Sequence, residues 1–415
     1  MSFPPHRPAP IVRAAPPTPE PLILRPLPPR SEGGWWRLRC ALIRADAVDP
    51  AQVEQEAWLE MPAADQPLDW DPADLEPFAI ALVMAAMREG RDLLIDGAVS
   101  LRLLAGLEEW VGHWARLRPG RYHRIALRLS TPDCPPPRCP PASPQLAVVA
   151  FSGGIDARYS LWRHRHGVVQ HRRRRLVAAV IVQGLDLPLN LPEAFATAQA
   201  EAQLSLDSLG LPLLPVRTNL RQLTGAGIDE AHGVVLVACL QLLKARAGTA
   251  LIGSSEPYDD LVPGWGSSPL TDHLLSSDSL HIVHDGAEDD RCDKIRLLAR
   301  WPDSTVNLRV CFHYELARGR NCLRCEKCLR TIAGFAVQGL PVPASLGGDA
   351  AVLSRRVPWF KLRTPAQVVE WRILQRHAAR RRPGLRWARW LPCLFLHHAL
   401  WLRWHRLRAL WRSPV

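Results

Sequence analysis

Two runs near the start of the chain alternate apolar and polar positions with a period of two. They are WWRLRCALIR (35–44) and VEQEAWLEM (53–61), and both predict β-strands with one covered face. LEPFAIALVMAAMREG (75–90) and SLRLLAGLEEWVGHWARL (100–117) follow the helical period instead, and RYHRIALRLS (121–130) predicts a closing strand. Residues 34–130 therefore predict a small α/β unit. From residue 146 the pattern becomes a regular β–α alternation. LAVVAF (146–151), LVAAVIVQGL (176–185), LPLLPVRT (211–218) and TALIGSS (249–255) predict strands. Between them, SGGIDARYSLWRHRHG (152–167), PEAFATAQAEAQLSLDSLG (192–210) and DEAHGVVLVACLQLLKARAG (229–248) predict helices. Strands separated by helices imply α/β architecture with a doubly wound parallel sheet over 146–340, and such sheets bind ligands at the carboxyl ends of their strands.

Proline divides these units. Eleven prolines in residues 1–30 predict a disordered leader over 1–33, and TPDCPPPRCPPASPQ (131–145) predicts a stiff linker. The net charge of +12 is uneven. Residues 351–415 hold 15 basic residues against one acid, Glu370, so residues 1–350 are slightly acidic. Nucleic acid is therefore not the expected partner of the body. Residues 341–415 read as a basic tail rich in Trp and Arg. Its segment 386–412 interleaves Trp and Leu with Arg at helical spacing, which suits an anionic membrane surface, a protein partner, the body itself or, through Arg–Trp stacking, RNA. The N-terminus shows no secretory apolar region and no run of about 18 apolar residues occurs, so a cytoplasmic protein, with or without peripheral membrane contact, is expected. The ten cysteines then read as thiols and metal ligands rather than a disulfide framework.

Candidate chemistry lies in two places. In FSGGIDA, Gly153 and Gly154 follow a buried strand and open a helix. Such a turn aims backbone N–H groups and a helix N-terminus at one point, which suits a phosphate. No GxxxxGK[ST] is present and the loop is not GxGxxG, so Walker and Rossmann loops are excluded. The run Ser152-Gly153-Gly154-Ile155-Asp156 resembles the SGGxDS signature of the PP-loop ATP pyrophosphatases, with Ala157 in place of the final serine. The resemblance implies an adenine nucleotide α-hydrolase-like fold and an ATP site that releases AMP and pyrophosphate. The second place is Cys311, Cys322, Cys325 and Cys328, spaced C-x10-C-x2-C-x2-C. Four thiolates suit a structural, tetrahedral Zn²⁺ with no open position. Together, the loop and this cysteine spacing resemble the 7-cyano-7-deazaguanine synthase family over roughly 146–335, as a diverged relative, and the run Asn321-Cys322-Leu323-Arg324-Cys325-Glu326-Lys327-Cys328-Leu329-Arg330-Thr331 resembles the N-C-G-R-C-E-K-C-L-R-T of larger bacterial proteins. Leu323 stands where the synthase family commonly has glycine.

That resemblance implies that Gly253, Ser254 and Ser255 contribute to the nucleotide and acceptor pocket, and it gives Lys294 a family counterpart. Asp156 is the best carboxylate for Mg²⁺, and Arg291 and Lys294 are the expected cations beside the reacting phosphates. His284 and Asp285 are further candidates within the polar segment 253–299. Arg158 is a possible extra charge for the loop, and His232-Gly233 reads mainly as packing or capping. The expected activity is ATP-dependent adenylation of a small-molecule carboxylate or amide. A tRNA-modifying PP-loop enzyme and a non-catalytic nucleotide-binding protein are the alternatives.

Overall fold

The alternation over Trp35–Arg44 and Glu54–Pro62 is realised as β2 and β3 of one ten-stranded sheet. The computed structural model describes residues 19–131, 137–139, 141–313 and 317–411. Its other strands are β1 (Leu22–Glu32), β4 (Leu93–Ile95), β5 (Leu127–Leu129), β6 (Leu146–Ala150), β7 (Arg175–Gln183), β8 (Leu213–Thr218), β9 (Thr249–Gly253) and β10 (His281–Asp285). Their spatial order is β10-β9-β6-β7-β8-β3-β2-β1-β4-β5. The sheet is mostly parallel, with antiparallel pairs only at β1–β2, β2–β3 and β3–β8 among the described residues.

Strands β6–β9 are buried on both faces over most of their length, as parallel strands between helices must be. Val148 and Ala150 join one core with the helices Glu76–Glu89, Leu101–Leu117 and Ile228–Gln241. Ala147 and Val149 join a second core with the helices Ile155–Arg165, Pro192–Asp207, Arg291–Leu298, Glu326–Gln338 and Pro365–Arg381. The chain order reverses between β6 and β9, whose neighbours on either side are β7 and β10.

The domain boundaries need correction. Residues 22–32 of the expected leader form β1, while residues 1–18 lie outside the described residues. The prolines are accommodated because β4 pairs only with Leu22–Leu24, and the β1–β2 register shifts between Leu27 and Arg30, around Pro28 and Pro29. Residues 34–130 are not a separate unit: β3 pairs with β8 through Leu59↔Thr218 and Glu60↔Arg217. The seam is reinforced by Asn219, whose Oδ1 accepts from the Trp58 amide at 2.9 Å and whose Nδ2 donates to the Glu56 carbonyl at 2.7 Å. The helix Glu76–Glu89, buried almost throughout, packs against Ile228–Gln241. Of the expected linker, residues 132–136 and 140 lie outside the described residues. The expected tail is largely part of the body. Leu353, Val357, Leu362, Trp371, Leu374, Trp387 and Leu391 are all buried in the second core. The polar segment 253–299 contains β10 and the helix Arg291–Leu298.

Candidate functional site

The loop after β6 turns at Gly153, whose φ of 79° lies where a Cβ is strained. Gly154 is the N-cap of the helix Ile155–Arg165, and no side chain caps it. The first-turn N–H groups therefore remain available to a ligand, and the helix dipole favours an anion there. Ser152, Gly154, Asp156 and Ala157 line a cavity of about 380 Å³ that opens at the β6/β9 reversal. Ala157 is a buried methyl group in that wall.

Three of the expected residues meet at the floor. Arg291 Nη2 donates to Asp156 Oδ2 at 2.8 Å, and Lys294 Nζ lies 3.7 Å from Asp156 Oδ1. Burial alone would raise the Asp156 carboxyl, but Arg291 and Lys294 outweigh it and hold the group below its ordinary value. Burial holds Lys294 below the ordinary lysine value, with Asp156 opposing and Arg291 adding to the effect. Lys294 also donates to the Ser254 carbonyl at 2.6 Å, which ties the loop after β9 to this floor. Asp156 Oδ1 and Arg291 Nη1 are buried and make no hydrogen bond. Both belong to residues that line the cavity, where Oδ1 has only the ion pair with Lys294 and Nη1 has no hydrogen bond.

The loop after β9 divides its roles. Gly253 is there for packing: a Cβ on it would lie 2.6 Å from the Asp156 carbonyl oxygen. Ser255 lines the cavity and accepts from Trp265 Nε1 at 3.1 Å. Ser254 is fully buried. Its Oγ lies 2.8 Å from His284 Nε2, and His284 Nδ1 lies 2.8 Å from Asp272 Oδ2. This Ser–His–Asp line is a brace rather than a nucleophile, because the Ser254 hydroxyl donates to the Glu256 carbonyl at 2.6 Å. Asp285 faces away from the cleft, toward Arg163 and His164. His232 bonds the Ile228 carbonyl through Nδ1 at 3.0 Å and packs on Trp265. Gly233 lets the Gly266 carbonyl approach to where a Cβ would be 1.9 Å from it.

Arg158 supplies no charge to a ligand. Its guanidinium is buried and spent on the carbonyls of Gly153, Ser304 and Asn307 and on Ser205 Oγ. A different arginine, Arg309, clamps the loop. Its Nε donates to the Ser152 carbonyl at 3.2 Å, its amide to the Gly153 carbonyl at 3.1 Å, and its Nη2 reaches Asp186 at 3.1 Å. The only sequence signal for Arg309 is its place two residues before Cys311.

The four thiols of Cys311, Cys322, Cys325 and Cys328 lie within 4.8 Å of one another, as a metal site requires. Amide N–H groups of His313 and Cys322 point at the Cys311 sulfur at 3.2 and 3.4 Å, and the Cys325 amide points at Cys322 Sγ at 3.3 Å. Such donors stabilise thiolates. Leu323 adopts φ 58°, the conformation that favours glycine, so this side chain strains the knuckle turn. The neighbouring motif residues are structural. Asn321 bonds Val310, Leu308 and Ser345, and Arg330 joins Glu326 at 3.1 Å to Glu370 at 2.6 Å. Glu370, from the expected tail, thus reaches Arg330 and, at 3.4 Å, Arg291. A second space of about 230 Å³ continues the cleft between Ser255, Glu256, Lys327 and Gln367.

Compared with protein-family models, curated proteins and solved structures, the chain matches none, so this cleft is to be read through its own chemistry.

Proposed function

We propose that the chain is an ATP-dependent adenylating enzyme on a doubly wound, adenine nucleotide α-hydrolase-like sheet, acting on a small-molecule carboxylate or amide. The observation that carries this reading is the convergence of an uncapped helix N-terminus, Ser152, Gly154, Asp156 and Arg291 on one cavity at the strand-order reversal, with Lys294 buried behind Asp156 at 3.7 Å. The β and γ phosphates would lie on the loop amides, with Arg291 and Lys294 offsetting charge on the departing group. The acceptor oxygen attacks the α-phosphorus, the bond from that phosphorus to the bridging oxygen breaks, and pyrophosphate leaves with the electron pair. Asp156 would hold Mg²⁺, whose hard charge offsets phosphate charge, and the unbonded Oδ1 fits that role. The four cysteines fit structural Zn²⁺, which would lock the Arg309 clamp beside the loop.

Pyrophosphate exchange into ATP, measured with a panel of carboxylates and amides, tests the activity. AMP and pyrophosphate are the expected products, and stoichiometric ADP would overturn the reading. Ala157 favours one second reading, a nucleotide-binding protein without turnover, because its methyl group occupies the cavity wall where the resembled signature has a hydroxyl. ATP binding without exchange on any acceptor would support that alternative.

A further inference from the structure

The last described helix, Leu391–Trp411, has two apolar faces. Leu391, Leu394 and His398 are buried against the body. Leu396 and Leu400, one turn apart, face away from it and are 62% and 56% exposed. Trp390, just before the helix, is 48% exposed, and Trp359, on a turn that packs against this helix, is 84% exposed. Exposed residues of this size in one neighbourhood mark an interaction surface.

The surrounding charge selects the partner. Arg386, Arg389 and Arg403 are exposed on the same elements and Arg355, Arg356 and Lys361 on the chain flanking Trp359, and none forms an ion pair among the described residues. The one acid of this region, Glu370, is buried and held by Arg291 and Arg330. Aliphatic side chains and tryptophans within a basic fringe match the interface of an anionic bilayer, where indoles sit at headgroup depth and arginines meet lipid phosphates. A second copy would bring two basic fringes together, which like-charge repulsion opposes. Nucleic acid would use the arginines but leaves Leu396 and Leu400 unexplained. No described helix is long and apolar enough to cross a membrane, so the contact is superficial. We propose that this face, built from Trp359, Trp390, Leu396 and Leu400 with its basic fringe, seats the protein on the surface of an anionic lipid bilayer.

Flotation of the full chain with phosphatidylcholine vesicles, with and without phosphatidylglycerol, tests this. The protein is expected to float only with phosphatidylglycerol vesicles and to be released as salt rises. Leu396→Asp/Leu400→Asp, both at exposed positions, should lower binding at least about tenfold, since two buried aliphatic groups are lost from the bilayer. Arg389→Gln/Arg403→Gln should lower it about fivefold per side chain, and this pair decides the matter if the leucine variant fails to fold by circular dichroism. Absence of flotation, or parental flotation by folded variants, overturns the proposal. So does a dimer in sedimentation that the leucine variant dissociates while no vesicle binds, or RNA binding that persists in the leucine variant without flotation.

Discussion

Lys244 and Lys294 are two of only four lysines, both are buried, and the protein treats them oppositely. Lys244 Nζ lies 2.5 Å from Asp74 and 2.6 Å from Glu76, between the helix Glu76–Glu89 and the segment after Ile228–Gln241. The two carboxylates overcome burial and raise its proton affinity. Burial in turn pushes Asp74 up to about 7, against the pull of Lys244. Lys294 has one nearby carboxylate, shares it with Arg291, and is held below the ordinary lysine value. It borders a cavity-lining carboxylate whose Oδ1 has no hydrogen bond. A buried charge surrounded by opposite charge is a clamp. A buried charge that shares one carboxylate with an arginine, beside an open cavity, is prepared for something that arrives later.

The largest expected effect tests a third cluster against this division. Cys325→Ser should abolish bound zinc and destabilise the chain by more than roughly 5 kcal/mol, because structural metal binding is folding free energy. Metal analysis with thermal melting checks it, and a folded variant that retains zinc would place the thiols outside the structural class. Lys244→Met should cost about 3–5 kcal/mol at neutral pH, since it strands two buried carboxylates. Asp74 has a raised pKa, so its contribution is fully present below its unfolded value of 3.8 and is lost as pH rises to about 7. Without Lys244 the Asp74 carboxyl rises further, so in urea titrations the deficit of Lys244→Met should be largest above pH 7, shrink as pH falls toward about 7, and level off below it. Lys294→Met should invert the pattern, with less than about 2 kcal/mol of stability lost, the scale of one buried hydrogen bond, but a fall of about 10²–10³ in pyrophosphate exchange. Equal losses of stability in the two lysine variants would erase the distinction between clamp and site. Ala157→Ser, smallest of the four, should tighten ATP by about 0.5–1.5 kcal/mol, one net hydrogen bond, measured by calorimetry.

The chain's periodicity revealed β2 and β3 by their alternation and β6–β9 as apolar runs with their own turn signals. It concealed β1, whose prolines argue locally against a strand and are tolerated only because of what β4 leaves unpaired. It also concealed β4, three residues long, and β10, where HIVHD is framed by polar turns. At the site, a glycine turn marked Gly153 and spacing marked the four cysteines, whereas Asp156, Arg291 and Lys294 became candidates through the resemblance and the chemistry it implies. Arg309 and Glu370 were not legible, since a lone arginine and a lone glutamate acquire their roles only when distant segments meet. The charge count likewise marked the terminal region as basic but could not show that Trp371 and Trp387 belong to the core.

The β3–β8 seam joins Trp58 to Thr218, 160 residues apart, by a bond of 2.7 Å. On the ribosome, at about 5–20 residues per second, β3 would wait on the order of 10–30 s for its neighbour to be made. Through that interval the free edge of β3 could pair with another chain. β3 carries Glu54, Glu56 and Glu60 on one face, ion-paired in part with Arg37 and Arg39 of β2, and so many charged side chains beside the edge would oppose its pairing with another chain until β8 arrives.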